Sequence, residues 1–251
     1  MTAGTPRTAF ITGAGNGMGR AHALTLAAAG YTVCATDIDE SAVTSVADAA
    51  SGLDGRVVAR KLDVTDRAEV EAVAEGFAQL AGGIDVLVSN AGLIHTNETL
   101  ADTDDDTWHR TFAVHVDGAL NTSRACLPWL KESGSGRIII ISSIWGQAGI
   151  GHSYAYCAAK GALMAFAKNA AKELGQYGIS VNAVAPGGVH TAMTAEFSQA
   201  ELEDDYRTVP LGRYADPEEI SYLIEYLAGP RSAFLTGQTI SINGGQVIGG
   251  F

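Results

Sequence analysis

The chain is predicted to be an α/β domain of Rossmann type, a doubly wound parallel sheet of about seven strands with helices on both faces. Three observations predict it. Short apolar runs recur at residues 8–12, Tyr31–Thr36, Val57–Leu62, Val86–Ser89, Ile138–Ser142, Ile179–Val184 and Thr239–Ile242, the form taken by strands buried on both faces. Helix-length stretches lie between them at Asp66–Leu80, Trp108–Leu130, Ala155–Gly175 and Pro217–Leu227, and this alternation implies right-handed βαβ crossovers. The segments Gly13–Gly19, Asn90, Ser143 and Pro186–Thr191 each follow the end of an apolar run. Ligands on doubly wound sheets bind at that edge.

The first element is strand-like (Thr8-Ala-Phe-Ile-Thr12) and runs into Gly13-Ala-Gly15-Asn-Gly17-Met-Gly19, then into Arg20–Ala29, rich in helix formers and stopped at Gly30. Strand, glycine turn and helix in that order are the context of a phosphate-binding loop. Glycines let the backbone approach a pyrophosphate, and the helix start offers free N–H groups and a positive dipole end. The second strand ends at Asp37. A carboxylate there accepts both hydroxyls of an adenosine ribose and repels a 2′-phosphate. No Arg or Lys lies between Gly30 and Ser51, so the expected cofactor is NAD rather than NADP.

The chemistry is expected from Tyr156-Cys-Ala-Ala-Lys160, with Ser143 upstream. Positions four apart share a helix face, which brings an ammonium near a phenol. Free tyrosine titrates near pH ~10; lowering that by ~2–3 units takes ~3–4 kcal/mol, about what one cation at ~4 Å supplies at an effective dielectric of ~20. The pair is therefore a candidate acid–base unit for interconverting an alcohol and a carbonyl. Tyr154 has no lysine four residues on, and Ser142 is one residue off the spacing. Cys157 faces away from the Tyr/Lys stripe and reads as packing.

Length and composition narrow the class. The 251 residues are 47% hydrophobic and 18% charged, with no linker, repeat or charge block, so a single domain over residues 1–251 is expected. The longest strongly apolar run, Ile138–Ile141, is far short of a membrane span, and Met1–Arg7 has no signal-peptide character. A cytoplasmic protein is expected. Three unclustered cysteines, Cys34, Cys126 and Cys157, argue against a disulfide framework or a zinc site, and no metal is expected. A net charge of −12 argues against nucleic acid and anionic membranes as partners, and mildly against an acidic carrier protein.

These motifs together resemble the short-chain dehydrogenase/reductase family, in its single-domain form of ~250 residues. The loop Thr12, Gly13, Gly17, Gly19 is similar to the family's Thr-Gly-x3-Gly-x-Gly. The resemblance implies that Gly13, Asn16, Gly17, Met18 and Gly19 hold the pyrophosphate, with Asp37 and Ile38 at the adenosine ribose. Leu62-Asp63-Val64 resembles the segment beside the adenine, Asp63 bonding the base and Val64 packing near it. Ser89-Asn90-Ala91-Gly92 is similar to the Asn-Asn-Ala-Gly motif. Pro186, Gly187, Val189 and Thr191 fall in the segment that seats the nicotinamide. Tyr156 would act as general acid–base, Lys160 would lower its pKa and bind the nicotinamide ribose, and Ser143 would hold the substrate oxygen. The chain departs from the family at His115, where Asn is usual. Either the backbone carbonyl at this position keeps its part in a proton relay, or the imidazole reshapes the relay and adds a group titrating near neutral pH, or the histidine is a packed residue with a satisfied partner.

The resemblance also places the substrate between the residues after the serine, Trp145 and Gln147, and those after Pro-Gly: His190, Met193, Phe197 and Tyr206. Such groups suit an apolar or aromatic secondary alcohol or ketone. Glu201, Glu203, Asp204 and Asp205 read as the solvated face of a helix at the entrance. The alternative substrate is a 3-oxoacyl thioester, against which Asp37 counts because biosynthetic reduction usually draws on NADPH. An enoyl reductase would space its tyrosine and lysine further apart, and a non-catalytic dinucleotide-binding protein would have lost the Ser/Tyr/Lys set. A homotetramer is expected by resemblance, and the tail Gly244–Phe251 reads as flexible by composition.

Overall fold

In the computed structural model, residues 6–94, 98–191 and 199–249 are described. Seven strands form one parallel sheet in the order β3-β2-β1-β4-β5-β6-β7: β1 (Thr8–Thr12), β2 (Thr32–Asp37), β3 (Arg56–Lys61), β4 (Val86–Ser89), β5 (Arg137–Ile141), β6 (Ser180–Pro186) and β7 (Thr239–Ile242). The expected strand count and parallel sense are observed. The chain winds outward from β1 in one direction to β3, then returns past β1 to β4 and continues to β7. The reversal between β1 and β4 opens a crevice at the carboxyl edge.

Alternation within each strand assigns its side chains to two cores. Phe10, Leu87, Ile138 and Ile140 point to one face, where α3 (Arg67–Ala81), α5 (Gly118–Glu132) and α7 (Tyr154–Leu174) bury Phe77, Leu130 and Leu163 against them. Ile11, Val88, Ile139 and Ile141 point to the other, covered by α1 (Gly17–Ala28), α2 (Glu40–Ala49) and α9 (Pro217–Ala228). The helix α2 is not among the long periodic stretches in the sequence, because only Val43 and Val46 of it are buried. Its start is fixed by Asp39, whose carboxylate accepts the N–H groups of Ser41 and Ala42. The remaining helices are α4 (Asp105–Phe112), α6 (Trp145–Ala148) and α8 (Gln199–Tyr206). Among the described residues no helix is long and apolar enough to cross a membrane.

Two segments differ from the sequence reading. The stretch read as one helix over Trp108–Leu130 runs from Asp105 to Glu132 and widens into a π turn at Ala113–Asp117, with His115 inside it; such turns recur at functional positions. Residues 243–247 of the glycine-rich tail form a pinned turn. Asn243 donates to Val247 O at 2.8 Å and accepts from Gly245 N at 2.9 Å, while Gln246 Nε2 reaches Thr208 Oγ1 at 2.9 Å.

Helix α1 carries a fully buried histidine. His22 Nδ1 lies 2.8 Å from Ser221 Oγ on α9, and that hydroxyl donates onward to Pro217 O at 2.9 Å, so the imidazole donates from Nδ1. Its Nε2 has no partner among the described residues. Burial lowers the His22 pKa to about 3, below the unfolded value near 6.5. The unfolded chain therefore takes up a proton first as pH falls. The stability contributed by neutral His22 is complete above pH ~6.5 and is lost toward pH ~3, at up to ~1.4 kcal/mol per pH unit. Urea unfolding of wild type and His22→Gln between pH 7 and 4.5 should give a shallower acid slope for the variant; parallel slopes would refute this account.

Candidate active site

The crevice is built from the ends of β1, β4, β5 and β6. At β1, Gly13 has φ +61°, and a Cβ there would lie 2.7 Å from Ala91 Cα. A Cβ on Gly19 would lie 2.0 Å from Gly13 O. Only glycine allows the loop to fold this tightly over the start of α1. Asn90, just past β4, holds the loop: its Nδ2 donates to Thr12 O at 3.0 Å and Gly13 O at 2.9 Å. In return the Thr12 hydroxyl accepts the N–H groups of Asn90 and Ala91, both at 3.0 Å. Asn16 is exposed and Met18 half-buried at the start of α1. A Cβ on Gly17 would sit 3.3 Å from Thr191 Cγ2, so the segment after β6 meets the glycine loop.

Asp37 ends β2 half-buried, its Oδ2 accepting Gly15 N at 2.9 Å and Oδ1 accepting Asp39 N at 3.1 Å. Ile38 beside it is 64% exposed, an apolar surface at the lip of the crevice. The ladder also reveals a cation that the Gly30–Ser51 window does not contain: Lys61 of β3 is the register partner of Asp37. Paired residues in a ladder point to the same face of the sheet. Asp63 turns its Oδ1 to Thr65, accepting N–H at 2.9 Å and the hydroxyl at 2.7 Å. Val64 is buried against Gly118. Beyond β6, Pro186 O accepts Ile144 N at 3.1 Å and Gly187 N donates to Ile242 O at 3.0 Å. Val189 is buried and bridges to Ala215.

At β5, Ser143 is buried, and its Oγ accepts the Trp145 N–H at 3.2 Å. Ser142 is committed elsewhere, donating to Lys160 O at 2.7 Å. Tyr156 rises from the first turn of α7 into the same space, with the rings of Trp145 and His115 edge-on at 5.8 and 5.5 Å. Ser153, which starts α7, has φ +55° and is fully buried, its N–H bonded to Glu98 O at 3.0 Å. This left-handed serine ahead of the tyrosine carries no signal in sequence, and such strain clusters at functional sites. Tyr154 points outward, 37% exposed. Cys157 is half-buried, with its thiol near His152 O.

The electrostatics correct one expectation. Lys160 is 4% exposed, and its Nζ lies over the Tyr156 ring, 5.4 Å from the centroid, donating to Ile141 O at 2.8 Å. Burial lowers its pKa to about 7. The Tyr156 pKa is pushed up to about 12, by burial first, while the Ser143 hydroxyl pulls the other way. Desolvation of the buried phenol outweighs the pull of its neighbours.

His115 is corrected too. Its ring is buried, with Nε2 2.7 Å from Leu93 O and 3.2 Å from Leu93 N. The shorter contact places the proton on Nε2, donating to the carbonyl. Burial, then the charge of Lys160, lowers its pKa to about 3, so it is a neutral packed ring and not a group titrating near pH 7. A Cβ on Gly92 would fall 2.5 Å from His115 Cε1, so the imidazole fills the space that glycine leaves.

The substrate residues divide. Trp145 stands against Tyr156. Gln147 is exposed and accepts the Ser241 hydroxyl at 2.9 Å on β7. His190 joins Tyr206 and Tyr214 in an aromatic group, with centroids 6.2 and 5.7 Å away; Tyr214 is a member that sequence reading missed. Met193 and Phe197 lie outside the described residues. Of the acidic positions on α8, Glu203 and Asp204 are exposed, but Asp205 is half-buried and accepts the Tyr214 hydroxyl, so it is not part of a solvated face.

A family model described as enoyl-(acyl carrier protein) reductase matches residues 13–246. The chain is 38% identical to a 3-oxoacyl-[acyl-carrier-protein] reductase from Thermotoga maritima, over 95% of this chain and 97% of that one. It is 40% identical to a trans-4-hydroxycyclohexanecarboxylate dehydrogenase from Sinomonas cyclohexanicum, over 97% and 93%. A solved short-chain dehydrogenase/reductase described as glucose/ribitol dehydrogenase, from Brucella melitensis, superposes with a TM-score of 0.90 at 32% identity, covering 97% of each chain. With the glycine loop, the Ser/Tyr/Lys set and the strand order in one crevice, the chain belongs to the short-chain dehydrogenase/reductase family.

Proposed function

We propose that this oxidoreductase reduces a ketone to a secondary alcohol, with NADH preferred over NADPH. The observation that carries the chemistry is the convergence of the buried Ser143, the Tyr156 phenol and the Lys160 ammonium in one crevice, a proton donor beside a second hydrogen-bond donor for a ketone oxygen. Relatives named as reductases support the direction. The tightly folded glycine loop at the start of α1 fits a dinucleotide, offering backbone N–H groups and a helix N-terminus to a pyrophosphate, and Asp37 supports the unphosphorylated ribose. The nicotinamide, when bound, supplies the hydride. Tyr156 gives its hydroxyl proton to the substrate oxygen, Ser143 donates a hydrogen bond to that oxygen as charge develops, and Lys160, with one protein hydrogen bond among the described residues, has donors left for ribose hydroxyls. Reversal of these steps oxidises the alcohol.

For the substrate, the relatives support a 3-oxoacyl thioester more than a simple apolar alcohol, since several carry that activity in their names. The ring-alcohol dehydrogenase keeps a cyclic carboxylate-bearing ketone as the second reading. The enoyl reductase description of the family model is not followed, because Tyr156 and Lys160 stand four residues apart.

Following NADH and NADPH oxidation with a 3-oxoacyl thioester, a 4-oxocyclohexanecarboxylate and simple aryl ketones tests the proposal; no turnover on any would sink it. Tyr156→Phe should lower kcat by ~100-fold or more while NADH affinity stays within about twofold. Near-normal kcat would remove the tyrosine from the chemistry. Asp37→Ser should raise kcat/KM for NADPH relative to NADH by about tenfold, equivalent to ~1.4 kcal/mol, with Lys61 then free to face the 2′-phosphate. An unchanged ratio would place discrimination elsewhere.

A further inference from the structure

The residues after β6 touch the glycine loop at one end and an aromatic group at the other. Tyr214 is the centre of that group. Its ring lies so close to Gly188 that a Cβ there would fall 2.1 Å from Cδ1 and Cε1. Its main chain is bound to the same segment, because Ala215 N donates to Gly188 O at 3.0 Å and His190 N donates to Ala215 O at 2.9 Å. Arg213 anchors it from behind, donating to Tyr214 O at 2.9 Å and forking onto Glu219 of α9 at 2.6 and 2.8 Å. From this base Tyr214 reaches α8 twice: its hydroxyl donates to Asp205, and its ring meets Tyr206 edge-on at 5.1 Å. Tyr206 in turn touches His190.

We propose that Tyr214 is a positioning residue that clasps α8 onto the Gly187–Thr191 segment and thereby fixes the substrate-side wall of the cleft. The inference rests on the proposed cofactor role of that segment. Phenylalanine would keep the packing on Gly188 but leave the half-buried Asp205 carboxylate without its donor, and an unpaired buried charge is costly. The wall would then detach from the seat while the seat itself stayed intact. Substrate affinity is expected to suffer, with cofactor affinity and the chemical step spared.

Tyr214→Phe should raise KM for the ketone at least fivefold, leave kcat within about twofold and leave the NADH Kd unchanged. Asp205→Ala should match it, the double variant should be no worse than either single, and Asp205→Asn, whose amide oxygen still accepts the hydroxyl, should restore KM. Trypsin cleavage after Arg207, exposed at the end of α8, should quicken in Tyr214→Phe. An unchanged KM overturns the proposal even if cleavage quickens, since the contact would then be architecture alone; additive KM effects in the double variant overturn it as well. If wild type reduces no ketone, the proposed function fails separately and the clasp is judged by cleavage: NADH should slow cutting after Arg207 in wild type and not in Tyr214→Phe. Equal protection in both would overturn it.

Discussion

The crevice depends on one exchange of hydrogen bonds across the switch point. The Thr12 hydroxyl takes two N–H groups from the start of the β4 loop, and the Asn90 amide returns two bonds to the carbonyls of Thr12 and Gly13. Strands β1 and β4 are neighbours whose following segments go to opposite sides of the sheet. Without cross-links their ends would splay. The reciprocal bonds fix the glycine loop, and with it the start of α1, relative to the segment Ala91–Leu93. That segment is the surface on which His115 rests, and His115 is the ring that meets Tyr156. The nucleotide end and the chemical end of the site are thus joined through few intermediates.

That route gives the histidine a sense that sequence comparison alone does not. A neutral imidazole with Nε2–H on Leu93 O fills the volume above Gly92 and braces the loop. Its position in a π turn puts the ring one step out of helical register, toward the tyrosine. Protonation is opposed by burial and by Lys160. The residue is therefore a spacer and a hydrogen-bond donor, which fits the expectation of a packed histidine and not that of a group titrating near neutral pH.

What could be read from the sequence was whatever repeats at short range. Parallel strands buried on both faces leave apolar runs, the loop needs glycines at fixed offsets, and the tyrosine and lysine share a helix face; all seven strands and the crevice follow from such patterns. Contacts made at long range were not legible. Lys61 comes beside Asp37 only through the β2–β3 register, and Tyr214 comes onto Gly188 only because the β6–β7 connection folds back on itself beyond α8. The Ser153 backbone has a left-handed φ that nothing in its side chain requires. The tyrosine pKa failed for another reason. A point-charge estimate at ~4 Å omits the cost of removing both groups from water, and at this depth that cost exceeds the attraction.

Burial of cations sharpens the contrast between framework and site. Among the described residues Arg137 and Lys160 are the only buried arginine and lysine, each 4% exposed, at opposite ends of β5. Arg137, at the amino edge, gives hydrogen bonds to Ser135 O and Gly136 O from a fork that suits carbonyls. Lys160, at the carboxyl edge, gives one bond to Ile141 O and has two more protons to place. A buried ammonium with most of its donors unused is a poor way to stabilise a fold, as its depressed pKa records. In a chain of net charge −12 any of many exposed carboxylates would have made a cheaper partner than a buried carbonyl. The position makes physical sense if a ligand hydroxyl completes the lysine's shell, which is the same requirement that the phenol beside it and the glycine loop below it impose.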